Sequence, residues 1–433
     1  MSAAGPGLGR AGILAYGALG LPLAFAALPI YVHVPRLYAE TLGLSLATVG
    51  LVLLLVRIFD AVTDPLIGWV SDRLAGRRAL VAVALPVLGV GMVGLLSPPQ
   101  GAGALWLAVL VSLVSLAYSM ATIAYNAWGA EVAPNSELRT RVVASREAFA
   151  LFGVILAAAL PGLLAGDGGD AQGLARMAWV FVPLLLLFAG WTLFAAPAAP
   201  ARPHARQALL RGLGAALACR PFARLLTIFA ANGIAAAIPS ATVLFFVADV
   251  LQAPQLAGLF LVLYFLSAAA SLPLWAAVSR RIGKLRAWLL GMVLAIAVFV
   301  WAALLGAGET GAYAAICILS GVALGADLAL PPSLLADLLA DEATRGNSGE
   351  ARAGAWFGWW NFVTKANLAL AAGLALPLLG WLGYAPGARS AEALSALAIV
   401  YALVPVLLKL GAITLLWRWR DAIEPHSPVG ENS

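Results

Sequence analysis

Apolar residues fill long runs from end to end of this chain, and polar positions gather into short stretches between them. A run of about 20 apolar residues lets a helix cross the hydrocarbon core of a bilayer. The pattern predicts twelve such helices: 11–34, 45–69, 79–97, 104–131, 147–166 and 175–195 in the first half, then 222–250, 257–278, 287–306, 312–340, 354–378 and 393–417. The stretch 196–221, rich in Pro, Ala and Arg, reads as a cytoplasmic linker. The expected domains are therefore an N-terminal six-helix bundle (1–195), the linker (196–221), and a C-terminal six-helix bundle with a short cytoplasmic tail (222–433).

Composition agrees with this reading. The chain is 63% hydrophobic and 11% charged, with a mean hydropathy of +0.95, which leaves too little polar surface for a soluble protein of this length. No charged leader precedes a small-residue cleavage site, so the first apolar segment is expected to stay as a span. The net charge of +6 follows from basic residues collected on one side of twelve spans. Arg73, Arg77, Arg78, Arg139, Arg141, Arg202, Arg206, Arg211, Arg280, Arg281, Lys284, Arg286, Arg418 and Arg420 fall on that side. Arg36, Arg176 and Arg389 fall on the other. Both termini are thus expected in the cytoplasm, and the abundance of Arg, Ala and Gly points to a bacterial inner membrane.

Cys219 and Cys317 lie at different expected depths, which argues against a disulfide or a shared metal. The chain carries no HExxH pair, no phosphate-binding glycine loop and three scattered histidines, His33, His204 and His426. An enzyme, a resident cofactor and a nucleic-acid partner are not expected, and a monomer is. A sensor on a transporter scaffold would need a partner domain that this sequence does not supply.

The two halves echo one another. Trp69 to Arg78 follows the second span and Trp275 to Arg286 follows the eighth, with Val70-Ser71 recurring as Val278-Ser279. Parallel six-helix repeats of this kind build transporters with a central site.

The second span holds the most telling chemistry. Arg57, Asp60 and Asp64 sit at helical spacing in an otherwise apolar segment, with the carboxylates about one turn apart on one face. Ionisable groups at bilayer depth are costly and mark ion or substrate pathways. Paired carboxylates can coordinate a small cation or exchange a proton, with Arg57 moderating their repulsion. The bland alternative is a salt-bridge cluster holding helices together.

Gly68, Asp72, Arg73, Gly76, Arg77 and Arg78 form a tight basic turn that resembles the signature between helices 2 and 3 of the major facilitator superfamily. Asp72 near a helix C-terminus needs a cationic partner, and its expected role is gating. Taken with Arg57, Asp60 and Asp64, the whole chain resembles the glycoside–pentoside–hexuronide:cation symporters, the melibiose permease branch of that superfamily. Tyr16-Gly17, Gly43-Leu44-Ser45, Tyr118-Ser119, Tyr125-Asn126, Trp128 to Glu131, Arg139-Thr140, Arg146, Asp337, Asp341, Gly354 to Lys365 and Gly383-Tyr384 fit its spacings.

The resemblance implies a fold of twelve transmembrane helices in two pseudo-symmetric six-helix bundles. It also implies a cation, Na⁺ or H⁺, at Asp60, Asp64 and Ser119, with Lys365 close by. Lys365 lies mid-span and needs an acidic partner. Where melibiose-type members hold sugar hydroxyls with carboxylates, this chain has Ala24 and Thr122, and a tryptophan position becomes Asn126. The sugar clamp is therefore expected to differ.

Tyr31, His33, Tyr125, Arg146 and Asp327 are further cavity candidates, with Asp327 expected either to neutralise Lys365 or to meet substrate. Glu131, Arg139, Arg141, Asp337 and Asp341 are expected at the inward gate. The expected activity is cation-coupled symport of a small organic solute by alternating access. Vertebrate members of the wider group carry lysophospholipids with sodium, so a lipid-like amphiphile is the alternative cargo.

Overall fold

The computed structural model describes residues 9–38, 42–73, 76–165, 169–198, 209–344, 353–385 and 387–423. Among these, ten helices are long and apolar enough to cross a membrane. Two further helices, of 28 and 29 residues, carry the charged residues of the second and eleventh spans. In chain order the twelve are α1 (Arg10–Pro35), α2 (Leu46–Arg73), α3 (Arg77–Leu96), α4 (Ala104–Val132), α5 (Ser136–Leu164), α6 (Gly169–Ala195), α7 (Arg220–Val250), α8 (Pro254–Ile282), α9 (Lys284–Leu304), α10 (Thr310–Thr344), α11 (Ala353–Trp381) and α12 (Ala391–Ile423). Large apolar side chains such as Val90, Leu105, Phe194, Leu304 and Trp381 stand exposed on their outer faces. Water does not tolerate so much exposed apolar surface, but lipid does.

Hydropathy places most of these helices to within a few residues. The largest departure is α5, expected from 147 and found to begin at Ser136. Its first turns carry Glu137, Arg139 and Arg141, which a hydropathy reading takes for loop. Local chemistry makes them helix. Asn135 caps the start by accepting from the Leu138 N–H at 2.9 Å, Glu137 sits where an acid favours a helix N-terminus, and Arg141 bridges back to Glu137 at 2.6 Å.

By packing, the chain divides into two compact units. The first comprises 1–216 with 342–362, the second 217–341 with 363–433. The stretch 342–362, expected in the second bundle, thus groups with the first, and it includes the opening turns of α11. Residues 199–208 of the expected linker lie outside the described residues; a short helix, Leu209–Ala218, follows them.

In the first unit α1 packs along α5, while α4 packs along both α2 and α3. Helix α1 is interrupted at Ala18-Leu19, where it crosses α5. Gly17 and Gly20 flank the break, and a Cβ on either would collide with Ser145 or the Arg146 backbone. Pro22 follows, without an N–H to give. The backbone groups freed by the break are met by Thr192 of α6, which accepts from Leu19 N–H at 3.1 Å and donates to Ala15 O at 2.7 Å. Buried backbone groups left unmet cost about 1–3 kcal/mol. Thr192→Val, nearly equal in shape, is therefore expected to lower stability by about 2 kcal/mol, read as a lower melting temperature of the purified protein; an unchanged melting point would remove Thr192 from this role.

In the second unit α7 packs along α12. Phe246 stacks on Tyr401 at 4.2 Å between centroids, and Tyr401 shares a 2.6 Å hydroxyl contact with Tyr313. At the last turn of α7, Asp249 accepts from the Tyr384 hydroxyl at 2.6 Å and the Gly387 N–H at 3.0 Å. Arg389 donates to the Asp249 carbonyl at 3.0 Å. Tyr384 lies in the turn beyond α11; burial, then its bond to Asp249, pushes its phenol above the ordinary range.

The internal echo reads directly in local geometry. The α2–α3 and α8–α9 turns each pivot on a glycine in the left-handed region, Gly76 at φ 97° and Gly283 at φ 85°, where a Cβ would be strained. Each glycine is followed by a cation opening the next helix, Arg77 or Lys284. Each cation reaches an acid of the helix after that: Arg77 meets Glu131 of α4 at 3.0 Å, and Lys284 meets Asp337 of α10 at 2.6 Å.

Candidate functional site

Asp60 and Asp64 are both withdrawn from the surface of the first unit, 2% and 0% exposed. Each is held by a different helix. The Ser115 hydroxyl of α4 lies 2.6 and 2.7 Å from the two Asp60 oxygens, sharing its proton between them. The Asn361 amide of α11 donates to Asp64 Oδ2 at 2.8 Å. Ser119, one turn beyond Ser115 on α4, is fully buried. The place thus brings together two carboxylates and the Ser115 hydroxyl, oxygen groups suited to a hard monovalent cation or a proton, with the Asn361 N–H held against one of the carboxylates. Among the described residues no group of three His, Cys, Asp or Glu is gathered as a metal cluster. Ser115 and Asn361 were missed from sequence, although Ser115 precedes Ser119 by one turn and Asn361 precedes Lys365 by one turn. Lys365 is buried in α11; the Arg57 and Tyr31 side chains fall outside the described residues.

Below this site α2 ends in a tight ionic knot. Asp72 Oδ1 accepts from Arg77 at 2.6 Å and from the Gly354 N–H at 2.8 Å, while Oδ2 accepts from the Ala355 N–H at 2.8 Å. The carboxylate that is unfavourable at the end of α2 therefore caps the electropositive start of α11. Arg77 also donates to Ser71 at 2.5 Å and to Glu131 at 3.0 Å. Gly68 lets the backbones touch, since a Cβ there would run into Gly354. Of the other gate candidates, Arg73 stacks over Trp69 at 3.8 Å and Arg78 is half-buried. Asp337 takes Lys284 in the second unit, Asp341 is half-buried on α10, and Arg139 is half-buried on α5. Arg141 pairs with Glu137 on an open surface.

A second polar group joins α1, α4 and α5. Tyr16 and Tyr125 stack at 4.5 Å and exchange hydroxyl-to-carbonyl hydrogen bonds. Arg146 donates to Asn126 and to Glu147. Thr122, one turn before Asn126, has a buried hydroxyl without a hydrogen-bond partner. Ala24 and His33 are half-buried on α1. Glu147, which matches the charge of Arg146, was not anticipated from sequence.

In the second unit Asp327 is engaged at both oxygens. Trp288 of α9 donates to Oδ1 at 2.8 Å and Lys409 of α12 to Oδ2 at 2.9 Å; Lys409 also donates to Asn232 of α7 at 2.7 Å. The cation that Asp327 meets is thus Lys409, where the sequence leaves Lys365 or substrate as its partner. A cavity of about 620 Å³ lies elsewhere in this unit, walled by apolar residues including Val250, Trp301, Leu304, Leu394 and Leu403.

Ten helices long and apolar enough to cross a membrane, two more that carry the charges of the second and eleventh spans, and a repeated loop geometry describe a multi-pass membrane protein. The chain belongs to the family described as MFS/sugar transport protein, matched over residues 13–420, and so to the major facilitator superfamily, whose members are transporters and not enzymes. It is similar to the uncharacterized symporter YnaJ of Bacillus subtilis (strain 168), 29% identical over 33% of this chain and 32% of that one. It is also similar to the uncharacterized symporter sll1374 of Synechocystis sp., 29% identical over 36% and 31%. These matches span about a third of each relative's length. Solved structures of like fold include a bacterial homologue of the iron transporter ferroportin in an outward-facing state, with TM-score 0.68, 17% identity, and 94% of this chain and 99% of that one covered. A variant of the Escherichia coli fucose:proton symporter FucP has TM-score 0.67 at 13% identity, covering 95% and 97%.

Proposed function

We propose that the protein is a cation-coupled symporter of the glycoside–pentoside–hexuronide type, set in the bacterial inner membrane with both termini in the cytoplasm. It moves a small polar organic solute by alternating access. The coupling ion, Na⁺ or H⁺, is received at Asp60 and Asp64. One observation carries this reading: two fully buried carboxylates one turn apart in a membrane helix, each gripped by a neutral polar group from another helix. Charge kept at that depth is costly, and a cation that neutralises it biases whichever state receives it. Solute meets the group around Thr122, Asn126 and Arg146. Arg146 is already matched by Glu147, so the group is nearly neutral and favours uncharged hydroxylated solutes over anions. The relatives support the reading at the level of class, since both curated ones are called symporters and one structural neighbour is a fucose:proton symporter.

A second reading, transport of a lipid-like amphiphile, has the apolar 620 Å³ cavity in its favour. Proteoliposome uptake tests both. Neutral sugars and polyols, organic acids and lysophospholipids are offered under an imposed Na⁺ or H⁺ gradient. Gradient-dependent accumulation of a neutral solute is the expected result. Gradient-dependent uptake of lysophospholipid alone would replace the first reading with the second, and uptake of any cargo indifferent to both gradients would remove ion coupling.

A further inference from the structure

Helix α11 is fastened to α2 at three heights. At its first turn Gly354 and Ala355 N–H groups cap Asp72 at 2.8 Å. Next comes a seam without side chains, in which a Cβ on Gly354 would strike Gly68 and a Cβ on Gly358 would press on the Asp64 carbonyl and Pro65. Two turns above the cap, Asn361 donates to Asp64 Oδ2 at 2.8 Å. Gly354, Gly358 and Asn361 recur at intervals of four and three residues and so share one helix face. The lowest fastening uses a carboxylate remote from the ion site. The highest uses one of the ion site's own carboxylates.

We propose that Asn361 is the positioning residue through which occupancy of the cation site is passed to α11. The inference rests on the cation reading above and deepens it. With the site empty, the anionic Asp64 carboxylate holds the Asn361 amide in a charge-assisted hydrogen bond, the strong kind. A sodium ion lodged against Asp60 and Asp64 draws on the same negative charge. The bond to Asn361 loses its charge assistance, and the uppermost of the three fastenings of α11 to α2 is weakened while the Asp72 cap and the glycine seam are untouched. Ion and amide therefore oppose one another, and opposition is reciprocal: whatever weakens the amide bond strengthens ion binding. Asn361 keeps the empty transporter fastened, so that loading the ion is what frees the helix.

The sign of this effect makes it testable. A packing defect near a binding site weakens binding, whereas loss of an opposing group tightens it. Purified full-length wild type, Asn361→Ala, Asn361→Leu and Asp60→Asn are titrated with sodium chloride at constant ionic strength against choline chloride, following tryptophan fluorescence, with melting curves to establish folding. Asn361→Ala and Asn361→Leu are expected to bind sodium about tenfold more tightly, given the worth of a hydrogen bond to a charged group. In proteoliposomes their sodium-driven accumulation is expected to fall. Unchanged or weaker sodium affinity in the folded variants overturns the proposal. So does failure of both variants to fold, because Asn361 would then be a brace. If wild type binds sodium, Asp60→Asn abolishes it and the Asn361 variants match wild type, this inference falls and the cation reading stands. If wild type shows no sodium response, a sodium site at Asp60 and Asp64 falls and this inference with it.

Discussion

Asp60→Asn and Asp64→Asn are each expected to abolish uphill accumulation of solute while leaving a folded, membrane-inserted protein. Asparagine keeps the size of aspartate and an oxygen to accept from Ser115 or Asn361, so packing is preserved. What disappears is a negative charge in a place where two lie a turn apart. Either variant is therefore expected to stay folded, while its cation affinity falls. The charge count of its ligands sets how tightly a site holds a hard cation, so removal of one of the two negative charges is expected to weaken binding by about tenfold or more. The measurement is gradient-driven uptake beside counterflow exchange in the same vesicles. Full accumulation in both variants would remove these carboxylates from the mechanism.

The other large effect is expected in the second unit, at Lys409→Met. Lys409 is the cation for Asp327, and both are almost wholly buried. Removing one member of a buried pair leaves the other charge uncompensated, at a cost of about 3–5 kcal/mol. Lys409→Met is thus expected to melt far below wild type in detergent and to accumulate poorly in membranes. Adding Asp327→Asn removes the stranded charge and retains a group for the Trp288 N–H, so the double variant is expected to recover most of the lost stability. A double variant no better than Lys409→Met would show that the pair is not what holds these helices. The contrast with Arg141–Glu137 is instructive: that pair is more than two-fifths exposed, and exposed i,i+4 pairs are worth about 0.3–0.5 kcal/mol.

The helices were legible because bilayer thickness sets a length that an apolar run either meets or does not. The start of α5 was not, since there a capping asparagine and an ion pair make helix from residues that hydropathy counts as loop. The break in α1 was hidden for another reason: Thr192, which meets its freed backbone, lies 173 residues away from Leu19. At the candidate site Asp60 and Asp64 stand out in the sequence, because unexplained charge in a greasy segment is rare. Ser115 and Asn361 did not, as serine and asparagine are unremarkable in composition and acquire meaning only through what they face. Asp327 reads as interior in the sequence, with either Lys365 or substrate open as its partner, and the structure gives it Lys409. Lys365 and Lys409 look alike in sequence, and packing decides between them.

The divided loyalty of α11 bears on how such a chain can be taken apart. Its first turns group with residues 1–216 and its remainder with the other unit, although it is one unbroken rod. A fragment ending at the central linker would leave Asp72 bereft of the amides it caps and Asp64 of its amide donor. The amino-terminal half is thus completed by a segment made long after it, and in biosynthesis it reaches its final form only after the start of α11 has left the ribosome.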